Sequence, residues 1–175
     1  APLHGVRVLD LGCGIGLPGI QAAALGAELC SVDFEADALR FAQWNAEAQP
    51  SCAFSPTVQQ VDWSRGTVAG TFDLALLSDV SYHATHHAPI QRQLDQALAA
   101  DGCVLHADPG RELSTRFLEQ LDPSYVRLAW HRCTSYQDQV ADIRLTLLAR
   151  SPRYLARWSK LLAVRDGIGH VPQSL

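Results

Sequence analysis

Short aliphatic runs alternate with helical stripes along most of this chain. Val6, Val8, Leu9 and Leu11 form a β-branched and aliphatic run that reads as a buried strand, after which Gly12, Gly14 and Gly16 turn the chain. Pro18 to Gly26 is the first expected helix; proline is tolerated in a first helical turn because that amide has no intrahelical partner. Leu29 to Asp33 is the second strand, followed by a helix over Ala36 to Ala48 with Ala38, Leu39, Ala42 and Ala46 as its inward stripe and Pro50 as its stop. Thr57 to Val61 is a weak third strand ending at Asp62 and Trp63, and Phe72 to Ser78 is continuous enough to be a central fourth. Pro89 to Ala100 reads as a helix with Ile90, Leu94, Ala97 and Leu98 facing the core, closed by Asp101 and Gly102. Cys103 to Ala107 is the fifth strand, running into Asp108, Pro109, Gly110 and Arg111, and Glu112 to Leu121 is the next helix. Tyr125 to Thr134 and Val140 to Ala149 are two further strands joined by the polar link Ser135 to Gln139, short enough for an antiparallel hairpin.

This order predicts an α/β protein: an open, mostly parallel sheet with helices on both faces and an antiparallel edge. The length of 175 residues suits one domain, with residues 1–150 as its body and 151–175 as an amphipathic helix and tail of the same unit. In that tail, Pro152 to Val164 sets Leu155, Trp158, Leu161 and Leu162 on one side and Arg153, Arg157 and Lys160 on another. It either folds back onto the sheet or offers a docking surface.

Composition narrows the setting. No apolar stretch reaches membrane-spanning length and no charged-then-apolar leader is present, so no membrane contact is expected. Cys13, Cys30, Cys52, Cys103 and Cys133 are an odd set without C-x-x-C spacing, which suits a reduced, cytoplasmic protein. Ala1 stands where a methionine would, and the chain has no Met, so trimming is expected, with residues missing upstream of Val6. The net charge of −4 conceals an asymmetry: residues 1–110 hold 4 basic and 12 acidic side chains, a balance of −8, while residues 111–175 balance at +4. No basic tract in the acidic part resembles a nucleic-acid groove.

Candidate chemistry starts at the glycine turn. Strand, glycine turn and helix bring bare backbone close to a nucleotide-like ligand. The dinucleotide pattern wants a third glycine where Leu17 stands; here the spacing is Asp10-x-Gly12-x-Gly14-x-Gly16, with Cys13 inside it. A carboxylate at Asp10 sits poorly beside a pyrophosphate and suits a ligand with ammonium and sulfonium charges, which S-adenosylmethionine carries without any phosphate. Asp33, 17 residues beyond Gly16 and followed by Phe34, is placed to accept both ribose hydroxyls. Asp62 can accept the adenine amine and Trp63 can stack on the ring, although a strand-end cap would use Asp equally well. Cys13 is either a small packing residue or a reactive thiol. His83, His86 and His87 share a helix face, but no carboxylate or cysteine nearby completes a metal set, so a solvated loop over the cofactor is expected and metal is not.

The segments Leu9 to Ile20, Asp62-Trp63, Phe72-Asp73-Leu74 with Ser78-Asp79-Val80-Ser81-Tyr82, and Asp108-Pro109-Gly110-Arg111 resemble the motifs of methyltransferase family 16, within the class I S-adenosylmethionine-dependent methyltransferases. The resemblance covers roughly residues 6–150 and points to protein lysine methyltransferases of bacterial type. It implies a doubly wound, Rossmann-like, seven-stranded sheet with an antiparallel C-terminal strand pair. The glycine motif is common to the superfamily and bears on the cofactor alone, whereas Asp79-x-x-Tyr82 is narrower.

It further implies that Ser78 lies in the cofactor site, that Asp79 anchors a lysine ammonium and that Tyr82 walls the methyl channel. For these two residues, a helix cap and plain packing are the alternatives. Asp108 and Arg111 are the remaining candidate catalytic residues, with Arg111 expected to pair with Asp108 or to bind an acidic substrate group. His83 follows Tyr82 where an acid would be expected, and a substrate different from those known for the family is therefore an open expectation. The expected function is methyl transfer to a protein lysine; a small-molecule or nucleic-acid acceptor, or cofactor binding without transfer, are the alternatives. Base methylation is disfavoured, because the fourth strand does not end in an N-P-P-Y-like segment able to hold a flipped base. Oligomeric state is not read from the sequence.

Overall fold

The computed structural model describes residues 2–49, 56–121, 123–136 and 139–162. Expectations for Ala1, Pro50, Cys52, the middle of the 135–139 link and the tail from Ala163 onward lie outside those residues.

Seven strands form one sheet: β1 (Arg7–Leu11), β2 (Glu28–Asp33), β3 (Thr57–Gln60), β4 (Phe72–Ser78), β5 (Leu98–Asp108), β6 (Val126–Tyr136) and β7 (Gln139–Ala149). Five helices connect or cover them: α1 (Leu17–Ala24), α2 (Ala36–Glu47), α3 (Ala84–Ala97), α4 (Glu112–Gln120) and α5 (Pro152–Leu161). The order across the sheet is β3-β2-β1-β4-β5-β7-β6; the first five strands are parallel, and β7 runs antiparallel to both β5 and β6. The chain thus has the doubly wound α/β sheet with an antiparallel terminal pair that its pattern predicts.

Alternation along the central strands supplies two apolar faces. Leu9, Leu11, Ala75 and Leu77 pack with Ile90 and Leu94 of α3 and Phe117 of α4. Val8, Leu74, Leu76 and Leu147 face the other way, onto Ala22 and Ala23 of α1 and Trp158 of α5. The indole N–H of Trp158 donates to Asp101 O at 2.9 Å, and Arg157 pairs with the Asp101 carboxylate at 2.7 Å. This fastens the amphipathic segment to the sheet by its apolar side.

Two boundaries differ from the sequence reading. The third helix begins at Ala84, with Pro89 inside it, and ends at Ala97. A proline there costs one intrahelical hydrogen bond, while Ile90, Leu94 and Ala97 still reach the core. Asp101 and Gly102 do not cap this helix; they lie within β5, in a bulge between the pairs Phe72↔Leu98 and Leu74↔Cys103. Six residues of β5 (98–103) oppose three of β4 (72–74) across that span, so the extra backbone loops out toward α5.

Asp10 is a fold residue as much as a site candidate. It lies on the α1 side of β1, is 1% exposed, and its Oδ2 accepts the Gly19 amide of α1 at 3.0 Å. The expected direct contact with a cationic ligand is therefore not available to it. Burial pushes its carboxyl up to about 6, opposed by the Gly19 hydrogen bond and reinforced by the Asp33 charge. A folded-state pKa above the unfolded value favours the folded state at low pH, and that contribution fades as pH rises from about 4 through 6. Asp10→Asn keeps an acceptor for Gly19 and removes the charge. Urea unfolding should therefore show the variant close to wild type at pH 4 and more stable by about 2–3 kcal/mol at pH 7; a difference independent of pH would refute the buried charge.

Candidate functional site

The strand order reverses between β1 and β4, and the crevice of a doubly wound sheet opens at the carboxyl ends beside such a point. Here the glycine turn is pinned to the end of β2. Gly12 and Cys13 donate their amides to Val32 O at 2.7 and 3.0 Å, and Gly14 donates to Asp33 Oδ2 at 3.0 Å. The other Asp33 oxygen accepts the Glu35 amide at 3.1 Å.

The glycines of the turn do different work. A Cβ on Gly12 would come within 2.7 Å of Val80 and 2.8 Å of Trp63, so bare backbone lets those side chains floor the cleft. At Gly14, with φ at +52°, a Cβ would point into open space, where a ligand would lie. Gly16 instead allows close approach to Ala42 of α2 and serves packing. Cys13 likewise packs, against Leu39 and Ala42, and burial drives its thiol up to about 12, so it is neither a reactive thiol nor a cleft side chain.

The cleft above the turn, about 160 Å³, has Gly12, Gly14 and Asp33 on one side and Ser78, Asp79 and Tyr82 on the other. Phe34, Trp63 and His86 link it to an adjoining hollow of about 400 Å³ that also contains Asp62. Asp62 Oδ1 accepts the Ser64 amide at 2.9 Å and its hydroxyl at 2.6 Å, and these bonds hold the carboxyl below its ordinary range. His86 stacks on Trp63 with centroids 5.8 Å apart and planes 25° from parallel, so the flat wall here is composite. Its Nδ1 lies 3.3 Å from Val80 O. A separate hollow of about 470 Å³, near Arg7 and Phe72, lies at the amino ends of the strands, away from these residues.

On the Ser78–Tyr82 side of the cleft the charges are distributed differently from the expectation. Asp79 has φ +50° and donates its amide to Ala107 O at 2.8 Å. A non-glycine residue in this left-handed region costs about 1–3 kcal/mol and is typical of functional sites. Its two carboxylate oxygens accept Arg111 Nε and a terminal guanidinium nitrogen, each at 2.8 Å, and the same guanidinium lies over Tyr82, 5.9 Å from the ring centroid. Asp79 is thus paired with Arg111 and does not cap α3, whose N-cap is His83.

Asp108 departs furthest from its expected place. It is 1% exposed and accepts the Gly110 and Arg111 amides at 2.8 and 3.0 Å. Its side-chain partner is Arg144 of β7, at 3.1 Å from each carboxylate oxygen, and not the Arg111 side chain. It holds the turn after β5 and does not reach the cleft.

Beneath the Asp79–Tyr82 segment, Ser81 Oγ lies 2.8 Å from His106 Nε2 and 2.9 Å from Ser114 Oγ, while His87 Nε2 donates to Ser81 O at 3.0 Å. Ser81, His106 and Asp108 stand in the order of a hydrolytic triad, with His106 Nδ1 3.4 Å from Asp108 Oδ2, but all three are buried, so no substrate reaches the hydroxyl. Burial also drives His106 down to about 4, which keeps it neutral. The row anchors the segment that carries Asp79 and Tyr82.

The structure therefore gathers Gly12, Gly14, Asp33, Phe34, Trp63, Ser78, Asp79 and Tyr82 around one cleft, with Asp62 next to it and Arg111 at its rim. Asp10, Cys13, Gly16 and Asp108 support it from behind. Sequence reasoning missed Val80 and the stacking role of His86, and it had no motif signal for His106, Ser114 or Arg144. Val80 stands in the sequence only as part of the Ser78–Tyr82 segment, and His86 only as one of three spaced histidines.

The residues fit S-adenosylmethionine. A bare backbone turn leaves room at Gly14, Asp33 offers ribose acceptors, and Phe34 and Trp63 give apolar walls beside an acceptor at Asp62.

Comparison with known proteins agrees with this fit. A family model described as methyltransferase domain matches residues 3–149. The chain is 30% identical over 130 residues to a ubiquinone biosynthesis O-methyltransferase of Caulobacter sp. (strain K31), covering 74% of this chain and 50% of that protein. It is 31% identical over 130 residues to the mouse protein N-lysine methyltransferase METTL21A, covering 71% of this chain and 59% of that one. The chain thus spans about half the length of the curated relatives it matches. Among solved structures, magnesium protoporphyrin IX methyltransferase from Synechocystis PCC 6803 with bound SAM superposes with a TM-score of 0.63 at 22% identity, over 83% of this chain and 71% of that one, and shares the fold. Bare-backbone turn, matching sheet and family model converge, and the chain belongs to the methyltransferase domain family.

Proposed function

We propose that this domain transfers a methyl group from S-adenosylmethionine to the side-chain amine of a protein lysine. The observation that carries this reading is the half-exposed Asp79 and Tyr82 pair at the rim of the cleft, beside the open backbone at Gly14. A carboxylate next to an aromatic face suits an alkylammonium, and its position at the rim suits a side chain presented from another macromolecule. The similarity to METTL21A and the Asp79-x-x-Tyr82 element shared with family 16 support the same acceptor.

The cofactor supplies an electrophilic methyl on a sulfonium. Because the displacement is in line and needs little acid or base help, the protein's part is alignment and exclusion of water. Asp33 would accept from the ribose and Asp62 from the adenine amine, and Phe34 and Trp63 would enclose the flat end. On the acceptor side, Asp79 receives the ammonium and Tyr82 limits its approach. A lysine is protonated at neutral pH and must lose a proton before it attacks, to Asp79 or to water. The high share of acidic side chains in residues 1–110 favours a cationic cofactor and a cationic acceptor alike.

A phenolic small molecule is the second reading. It draws on the ubiquinone O-methyltransferase relatives and on His86, whose Nδ1 faces Val80 O and so leaves Nε2 as the ring nitrogen free to take a phenol proton.

Calorimetry with S-adenosylhomocysteine should give a measurable heat, and Asp33→Ala should weaken that binding by at least tenfold, with Asp79→Ala changing it by less than threefold; the reverse order would overturn the division of roles. Incubation of the protein with methyl-labelled cofactor and cell lysate should label a protein band on a gel. Label confined to the small-molecule fraction would replace the lysine reading with the phenol reading, and no transferred label despite cofactor binding would refute both.

A further inference from the structure

We infer, resting on the lysine reading above, that the acceptor is a lysine flanked by acidic side chains, because its ammonium and its neighbouring carboxylate together replace the Asp79–Arg111 pair. The carboxylate that would receive the ammonium already holds a cation: Arg111 binds both Asp79 oxygens at 2.8 Å and lies over Tyr82, the same ring that walls the cleft. Lysine entry therefore displaces Arg111. A bidentate guanidinium pair is among the stronger charge-assisted contacts, so a lone ammonium exchanges a good partner for one of similar strength and leaves a cation without a partner.

Among the described residues, the released guanidinium has little to turn to in its own neighbourhood. Asp108, the carboxylate three residues before it, is buried and engaged by Arg144 and two turn amides. Glu112, the next residue, holds Arg116. A substrate carboxylate beside the lysine supplies the missing partner, and every charge at the rim then ends with an opposite one. Both partners are about half exposed, 50% for Arg111 and 40% for Asp79, so the exchange occurs at the surface without burying an unpaired charge.

The test uses the full chain saturated with S-adenosylhomocysteine and two blocked pentapeptides, glycyl-glutamyl-lysyl-glutamyl-glycine and its glutaminyl counterpart, titrated by calorimetry. The acidic peptide should bind about fivefold tighter to the wild type. Arg111→Gln should abolish that preference, and Arg111→Lys, which keeps the cation, should retain part of it. Only variants that still bind S-adenosylhomocysteine are compared, which separates loss of selectivity from loss of folding. Equal binding of the two peptides to the wild type, or a preference that survives in Arg111→Gln, would overturn the inference and leave the lysine reading standing. Failure of both peptides to bind the cofactor-loaded protein would overturn the two together.

Discussion

The hydrogen bond from the Gly14 amide to the Asp33 carboxylate joins the end of β1 to the end of β2, beside the point between β1 and β4 where the strand order reverses. Much of the site depends on that join. Gly12 and Cys13 reinforce it through Val32 O, so the turn lies flat against the neighbouring strand and its open side faces the crevice. Below it, Asp10 takes the Gly19 amide and sets the start of α1. A turn free to move would lose the empty space over Gly14, and the carboxylate that ties it down is also the one best placed for a ribose. The fold and the proposed ligand recognition therefore draw on the same group. A carboxylate that accepts two backbone amides is fixed in orientation before any ligand arrives, which limits the ordering cost of binding.

Five carboxylates around this end of the sheet are satisfied in five different ways. Asp33 accepts two backbone amides, Asp62 the amide and hydroxyl of Ser64, Asp79 the Arg111 guanidinium, Asp108 Arg144 with two turn amides, and Asp10 a single amide under burial. The differences order them by availability. Asp108 and Asp10 have no surface to offer. Asp79 is half exposed, but its partner is a side chain that can rotate away, which makes it the exchangeable one. The strained backbone of Asp79, together with the buried Ser81, His106 and Ser114 contacts beneath it, keeps that carboxylate aimed at the rim.

Much of the architecture was legible because each cue is local. Short continuous apolar runs and glycine or proline punctuation mark the strands, and the polar link after Thr134 marks the hairpin. Strand ends also placed Asp33, Phe34, Asp62, Trp63, Ser78, Asp79 and Tyr82 at one edge, since parallel strands all finish on the same side. Local cues failed where a distant partner decided the outcome. Pro89 does not start α3, because the residues ahead of it find helical bonds and the core face continues past it; Asp101 and Gly102 do not end it, because β4 pairs with a bulged strand there. Gly16 and Cys13 carry the same motif as Gly12 and Gly14 but face α2, a distinction that spacing does not contain.

By itself the sequence determined the order of elements, the bare-backbone turn and the set of residues at the carboxyl edge, since these follow from periodicity and from where each strand stops. Only the tertiary structure decided which charges meet. Asp79 and Arg111 are 32 residues apart, and Asp108 and Arg144 are 36 apart. Asp108 and Arg111 are near neighbours in the chain, yet their side chains part company. The physical reason is direction: Asp108 closes β5 with its side chain turned inward against β7, whereas Arg111 begins the approach to α4 at the surface, where Asp79 is within reach. Ionic pairing falls off within a few ångströms and follows side-chain orientation, which no separation along the chain specifies.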